Sequence, residues 1–334
     1  MKITIYDVAR EAGVSIAAVS QVINGKGKIS EQRRHEIIQV MERLNYQPSA
    51  IASALTGKKT FTIGLLVPDI SNPFFAEIAR AVEDQSHNLG YGLFICSTDN
   101  NKDRAERYLS LMQQKRVDGM IIGTGIANKS TLASLVKSKL PVVVIAREAK
   151  LGAKTVIIDD FCGGGMAANH LLEQNHSHVG LLSENEEVSS SRERIRGFLS
   201  VWEQAGLRIE EGLIQACGDE LVRDGKAKAT ELLSSANPPS ALFCCNDLLA
   251  IGALQAAKGL GLRVPEQVSI IGFDNTILAE VTDPPLTTIA QPTKEMGQIA
   301  VDSLVAMLED GNRDDIRIVL QPELVIRQST AKKQ

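Results

Sequence analysis

Three histidines, His170, His176 and His178, stand close enough in sequence to share a metal ion through neutral imidazoles. The plainer reading is a loop-facing pair after a helix end. Thr56-Gly57-Lys58-Lys59-Thr60 imitates the end of a phosphate loop, but it lacks the upstream glycine and the preceding strand that such a loop needs. Gly163-Gly164-Gly165 does not have the G-x-G-x-x-G spacing of a dinucleotide site, and no G-x-S-x-G elbow is present to raise a nucleophilic serine. The five cysteines (Cys96, Cys162, Cys217, Cys244, Cys245) form no C-x-x-C pair and are odd in number, which suits buried, unpaired thiols in a reduced compartment. These patterns leave no enzyme class standing, and no cofactor or metal is expected.

Charge points to a different chemistry. Residues 1 to 60 carry nine Lys/Arg against five Asp/Glu, so this stretch is +4 while the whole chain is −4. A basic end on an acidic body either meets a polyanion or is a solvated face. The same sixty residues read as short helices. Ile5, Val8 and Ala9 share one face before Gly13 turns the chain, and Ser15 then caps a second helix with Ile16, Val19, Val22 and Ile23 as its period. Asn24-Gly25-Lys26-Gly27 breaks it. Ser30 caps a third helix whose expected apolar stripe is Ile37, Ile38, Val40, Met41 and Leu44. Two helices joined by a Gly-containing turn and followed by a packing helix form a helix-turn-helix layout, whose second helix fits a major groove about 12 Å wide.

The run Ile5-Tyr6-Asp7-Val8-Ala9-Arg10-Glu11-Ala12-Gly13-Val14-Ser15, with Ala18-Val19-Ser20-Gln21-Val22-Ile23-Asn24, resembles the headpiece of the LacI/GalR repressor family. Leu44-Asn45-Tyr46-Gln47-Pro48-Ser49-Ala50 and Ala54-Leu55-Thr56-Gly57-Lys58 are similar to that family's third-helix end and hinge. The resemblance implies that Ile16, Ala17 and Gln21 read bases. It places phosphate contacts on Thr4, Tyr6, Ser15, Ser20 and Asn24, with Lys28, Ser30 and Arg33 as further candidates. Many members carry Arg where this chain has Gln21; Gln suits adenine N6/N7, whereas Arg prefers guanine O6/N7. In the hinge, the resemblance implies that Leu55 wedges a minor-groove base step, with Ala52 permitting close approach. A helix this short is marginal in water, so it is expected to form on DNA; a flexible linker with Leu55 packed on the body is the alternative.

From Thr62 the pattern changes. Apolar runs at 63–67, 93–96, 120–122 and 142–145, and again at 179–182, 241–244 and 268–271, alternate with helical stretches such as 75–89 and 192–205. Continuous apolar strands between helices indicate buried parallel sheets in βαβ units, and two such sets indicate two lobes whose strand ends face a cleft. The fold expected is an all-α helix-turn-helix headpiece plus an α/β body of two doubly wound parallel-sheet lobes, periplasmic-binding-protein-like by resemblance. Its boundaries are 1–46 for the headpiece, 47–60 for hinge and linker, and 61–334 for the body. Lobe 1 takes about 61–160 and 292–320; lobe 2 takes about 161–291 and 321–330.

Family motifs recur at the strand ends, in Asp69–Phe75, Arg192–Phe198, Cys245–Ala253, Gly272–Asn275 and Thr287–Pro292. The stretch Gly272 to Glu280 most resembles DegA-type members of Gram-positive bacteria. By resemblance, Phe75 with Phe74 forms an apolar wall, Arg194 donates to an effector, Asn246, Asp274 and Gln291 complete the polar set, and Phe161 is a further wall. Such a set suits a sugar, phosphosugar or purine-like ligand. Three of these polar residues also have a bland reading: Asp274 as a turn cap, Asn246 as a helix cap, Arg194 as an exposed ion-pair partner.

The function expected is a sequence-specific transcriptional regulator, by default a repressor and otherwise an activator or dual regulator. It binds a pseudo-palindromic operator as a homodimer under effector control. The first residues contain no apolar stretch of a signal peptide, and no run approaches the roughly 20 residues of a membrane span, so a cytoplasmic location without membrane partners is expected. Both features oppose a secreted solute-binding protein, and a purely architectural DNA binder would not need two lobes. The tail after Leu324 has no heptad repeat, which disfavours a coiled-coil tetramer.

Overall fold

The structure, a computed structural model, describes residues 3–23, 27, 29–46, 59–124, 140–148, 153–185, 188–311 and 316–333. The chain divides into two units, Met1–Thr60 and Phe61–Gln334.

In the first unit α1 (Ile5–Glu11), α2 (Ile16–Ile23) and α3 (Glu31–Arg43) each have a local reason to begin. Thr4 N–H and hydroxyl both donate to Asp7 Oδ2, at 3.0 and 2.7 Å. Ser15 Oγ accepts from Ala18 N–H at 3.2 Å, and Ser30 Oγ accepts from Arg33 N–H at 3.4 Å. Gly13, at φ +60, supplies the left-handed turn between α1 and α2. Val8, Ala9, Val19, Val22 and Ile37 form the buried centre, with Ile5, Ile23, Val40, Met41 and Leu44 around it. Each fully buried large aliphatic side chain contributes about 1.5–3 kcal/mol. Ile38 departs from the expected stripe: it is 38% exposed, because Ile37, Val40, Met41 and Leu44 already fill the i, i+3, i+4, i+7 face. An Arg43–Glu11 ion pair at 2.8 Å ties the end of α3 to α1.

Among the described residues the second unit contains two six-stranded sheets. The first is built from β1 (Thr62–Val67), β2 (Gly92–Ser97), β3 (Gly119–Ile122), β4 (Val142–Ile145), β5 (Lys154–Ile158) and, from near the C-terminus, β11 (Arg317–Leu320). Its order is β11-β5-β4-β3-β1-β2, all parallel. The second is built from β6 (Val179–Ser183), β7 (Ile214–Ala216), β8 (Ala241–Cys244), β9 (Ser269–Asp274), β10 (Thr287–Ala290) and β12 (Glu323–Val325), in the order β12-β10-β9-β8-β6-β7. One pairing breaks the parallel rule: β12 runs antiparallel to β10, with Thr288 opposite Val325. Strands β5, β7, β10, β11 and β12 add to the seven read from apolar runs.

Helices α4 (Pro73–Asn88) and α5 (Lys102–Gln114) flank the first sheet. Helices α6 (Asp160–Glu173), α7 (Ser189–Gln204), α8 (Leu221–Leu233), α9 (Asp247–Gly259) and the short α10 (Ile277–Val281) belong to the second. After β10 the chain returns to lobe 1 as α11 (Thr293–Asp310), which packs on α4 and beneath β3, β4 and β5. Lobe 2 is centred on a ring stack, Phe198 lying 5.1 Å from both Trp202 and Phe243. None of the described helices is long and apolar enough to cross a membrane.

The five cysteines are unpaired; Cys162 is half-buried and the other four are buried. The three histidines are taken up by the protein. His170 Nε2 meets Thr330 Oγ1 at 2.9 Å, His176 lies between Ser240 and Ser269, and His178 Nε2 meets Asn237 O at 3.0 Å. His170 and His176, with Ser329, fasten the C-terminal segment to lobe 2.

Candidate functional site

Two places carry chemistry, one in each unit. In the headpiece, α2 buries Val19 and Val22 and turns its other face outward. That face presents Ile16 (41% exposed), Ala17 and Gln21, so Ile16 does not pack inward. It carries no charge of its own, which leaves apolar contact and one amide for base edges. Around it, Tyr6 is 68% exposed and Ser20 half-buried. Thr4, Ser15 and Ser30 are engaged as caps, but a hydroxyl that accepts at a cap still has its proton to donate to a phosphate. The Thr4 hydroxyl is the exception, since it is directed at Asp7, and these bonds, with Arg10 nearby, hold the Asp7 carboxyl below its usual range. Arg33 pairs with Glu36 at 2.8 Å. Asn24, Lys28, Ala52 and Leu55 lie outside the described residues.

In the body, the second place is the cleft between the lobes, where strand ends meet. Asp274 is the last residue of β9; Gln291 follows β10 by one position, and Asn246 follows β8 by two. Arg194 enters from the first turns of α7. It is 5% exposed and bonded on several sides: Nε donates to Asp160 Oδ1 at 2.8 Å and Nη1 to Cys245 O at 2.5 Å, with Asp274 Oδ1 at 3.5 Å. Its guanidinium lies 3.7 Å from the centre of the Phe273 ring. Gln291 Nε2 donates to Asp274 Oδ1 at 2.7 Å. Burial pushes the Asp274 and Asp160 carboxyls up, and Arg194 opposes the shift in both. Burial lowers the Arg194 guanidinium, but Asp160 and Asp274 more than offset it, so the net shift is upward.

Close helix packing holds this arrangement. A Cβ at Gly164 of α6 would stand 1.9 Å from Arg194 O, and a Cβ at Gly197 of α7 would stand 1.9 Å from Phe161 O. The two helices therefore cross backbone to backbone, which sets Asp160 beside Arg194. Here Gly164 has a packing role, not a phosphate-binding one.

The deep part of the cleft, about 40 Å³, is lined by Phe74, Phe75, Arg194, Asn246, Asp274 and Gln291, six of the seven expected effector residues. Phe75 presents its ring while Phe74 is buried behind it, edge-on at 5.0 Å. Asn246 lines the cleft, and its Oδ1 accepts from Leu249 N–H at 2.8 Å to cap α9. Phe161 does not join them. It lies on a neighbouring pocket under Arg196, because its place in the first turn of α6 turns its ring away from the deep cleft.

Sequence reading missed Asp160, Arg147 and Glu184, which also line the deep part. Each follows a strand by one or two positions, which is the signal that could have found them. Arg147 Nε donates to Gly123 O at 3.2 Å; burial lowers its guanidinium, and Glu184 opposes that. A wider outer part, about 400 Å³, shares Asn72, Phe75, Arg147, Glu184 and Val188 with the deep part.

Residues 4–49 match the family described as bacterial regulatory proteins, lacI family, and residues 168–330 match a periplasmic binding protein-like domain. The chain is 43% identical to the HTH-type transcriptional regulator DegA of Bacillus subtilis, over 99% of each chain. It is 37% identical to the HTH-type transcriptional repressor PurR of Photobacterium profundum, over 98% of each. Among solved structures it is similar to the lac repressor dimer bound to operator and the anti-inducer ONPF, with a TM-score of 0.88 and 26% identity, over 99% of this chain and 100% of that one. A CelR–cellobiose complex is similar at a TM-score of 0.74 and 28% identity, over 98% of this chain and 100% of that one. These relatives are regulators and not enzymes, and the resemblance read from the headpiece and from Gly272 to Glu280 holds over the full length. The chain belongs to the LacI family of bacterial transcriptional regulators, with a DNA-binding headpiece and an effector-binding domain.

Proposed function

We propose that this regulator works as a cytoplasmic homodimer that represses transcription from a pseudo-palindromic operator and responds to an uncharged, hydroxyl-rich small molecule in the interlobe cleft. The observation that carries the reading is the buried cluster of Arg194, Asp160, Asp274 and Gln291 closing the floor of that cleft beside the Phe75 ring. Carboxylates and a fixed guanidinium bond hydroxyl groups, and the ring covers the apolar face of a sugar. The charge balance favours a sugar over a phosphosugar. Among the described residues, six carboxyls line the two parts of the cleft (Asp69, Asp160, Glu184, Asp219, Glu220, Asp274), against the guanidinium groups of Arg147, Arg194 and Arg223. A phosphate would enter against that field. The relatives support a regulated repressor: one is named a repressor, and another was solved with cellobiose.

On DNA, each headpiece lays α2 in a major groove, the half-sites lying about 34–36 Å apart, while Ala52 and Leu55 enter the minor groove between them. Effector in the cleft changes the lobe arrangement and shifts operator affinity by about 1–3 kcal/mol. The test is selection of an operator from random duplexes by the full-length chain, followed by anisotropy titrations with sugars, phosphosugars and purines. A preferred pseudo-palindrome whose affinity responds to an uncharged sugar is expected. No preference over random DNA would end the reading. Within the selected half-site, wild type prefers adenine opposite Gln21 and Gln21→Arg moves the preference to guanine, a discrimination of about 1–3 kcal/mol. Identical preferences would remove Gln21 from base readout.

A further inference from the structure

The wall that bears Phe74 and Phe75 continues one turn along α4 to Glu77, whose carboxylate leaves its own lobe. Its Oε1 accepts from Ile277 N–H at 3.3 Å, in lobe 2, and its Oε2 accepts from Thr293 Oγ1 at 3.1 Å, where the chain re-enters lobe 1. Both donors belong to segments that start in the effector cleft. Gln291, two residues before Thr293, donates to Asp274, and Asp274 stands three residues before Ile277.

The segment between Asp274 and Ile277 is held firmly. Asp274 and Asn275 both take positive φ, at 111 and 59. Asn275 Oδ1 accepts from Arg327 Nη2 at 2.7 Å. Thr276 gives its N–H and hydroxyl to Asp247 Oδ2 at 2.8 and 3.0 Å. The Thr276 hydroxyl donates to Asp247 and makes no cap bond to α10, and Glu77 from the other lobe accepts the Ile277 N–H. Three residues span at most about 10 Å, and a segment bonded at every residue moves as a piece.

We propose that Glu77 is the positioning residue that couples the cleft to lobe arrangement. A shift at Asp274 is carried through residues 275 and 276 to the Ile277 N–H, which Glu77 holds against lobe 1. The inference rests on the cleft being the effector site, but its test needs no effector. Amide hydrogen exchange on the full-length protein reads how often Ile277 is released. Glu77→Gln is expected to speed exchange at Ile277 about tenfold, as the charge-assisted acceptor is lost, with no change in β9.

Thr293→Val supplies a readout that a merely local role would not move. Thr293 bonds to the other carboxylate oxygen, so its loss speeds Ile277 exchange in the native background and adds nothing once Glu77 is Gln. Asp274→Asn, at the far end of the segment, should change Ile277 exchange at least about threefold while Glu77 is intact. Native exchange at Ile277 in Glu77→Gln, or additive effects of Thr293→Val, overturns the latch. A response to Glu77→Gln with none to Asp274→Asn overturns the coupling. Failure of the effector reading shows separately, as a complete lack of response to sugars, phosphosugars and purines.

Discussion

Removing Arg194 tests the electrostatics of the cleft most severely. Arg194→Met keeps much of the side-chain volume and the contact with Phe273 but withdraws the charge standing between Asp160 and Asp274. At an effective dielectric near 20 and about 4 Å, each of the two pairs is worth about 4 kcal/mol. The variant does not lose that sum, because a stranded buried carboxylate takes up a proton instead. Removing one partner of a buried pair costs about 3–5 kcal/mol, and we expect that loss near pH 8. It is a large share of the roughly 5–15 kcal/mol that holds a domain folded.

The sign of the pH dependence follows from the direction of the shifts. Burial already raises both carboxyls in the native protein against the opposing pull of Arg194, and withdrawing Arg194 raises them further. A carboxyl raised by folding contributes stability that is present below its unfolded value and is lost as pH rises through its folded value. The deficit should therefore shrink on acidification, by about 1.4 kcal/mol per pH unit for each carboxyl protonated only in the folded state. The comparison is made at about pH 8 and about pH 6, and the deficit is expected to be smaller at the lower value. Trp202 is the sole tryptophan and is buried in lobe 2, so its fluorescence during urea unfolding follows the lobe that holds Arg194. Adding Asp160→Asn to the variant removes one stranded charge and should restore part of the loss at the higher pH. A deficit under about 1 kcal/mol, or one equal at both pH values, would falsify the claim that Arg194 neutralises this site.

Two further outcomes follow from the same lobe. Gly164→Ala places a methyl group against the Arg194 carbonyl, where backbone and not a flexible side chain must yield. It should cost at least about 2–3 kcal/mol in the Trp202 transition and weaken any sugar response; a native midpoint would refute the backbone contact. Asp247 binds Thr276 and Thr288 from a buried position, and burial pushes its carboxyl from 3.8 up to about 6. By the same sign rule its contribution is present below about pH 4 and lost as pH rises through about 6, a swing of about 3 kcal/mol. Asp247→Asn should flatten stability against pH by that amount over that window, and an unchanged pH profile would count against it.

The headpiece was legible in the sequence because its determinants are local. Ser15 and Ser30 announce helix starts within three residues of the bonds they make, and Val8, Ala9, Val19, Val22 and Ile37 follow the helical period. Ile38 was misread because a run of two isoleucines offers both faces and only packing selects one. In the body, strands buried on both faces stood out as apolar runs, whereas β7 and β12 span three residues each and give no periodicity to detect. Strand β5 was a five-residue run of good composition, and with it unread Asp160, which stands two positions beyond, went unread too.

The cleft raises a deeper difficulty, because its members come from residues 72 to 291 and no spacing relates them. Resemblance supplies Phe75, Arg194, Asn246, Asp274 and Gln291 as separate names, and for Arg194, Asn246 and Asp274 a bland reading stands that sequence alone does not dismiss. Geometry changes what those names mean. Arg194 is held by Asp160 and Asp274 and donates as well to the Cys245 carbonyl, so a ligand meets one already bonded cluster and not a lone guanidinium. A preorganised cluster of that kind loses little freedom on binding and discriminates by shape and by hydroxyl position, because a misplaced hydroxyl leaves a buried partner unpaired. Gly164, from a glycine run that matches no phosphate motif, proves to be part of the same device. Without the close approach at Gly164 and Gly197, the helices carrying Asp160 and Arg194 would stand too far apart for the cluster to form.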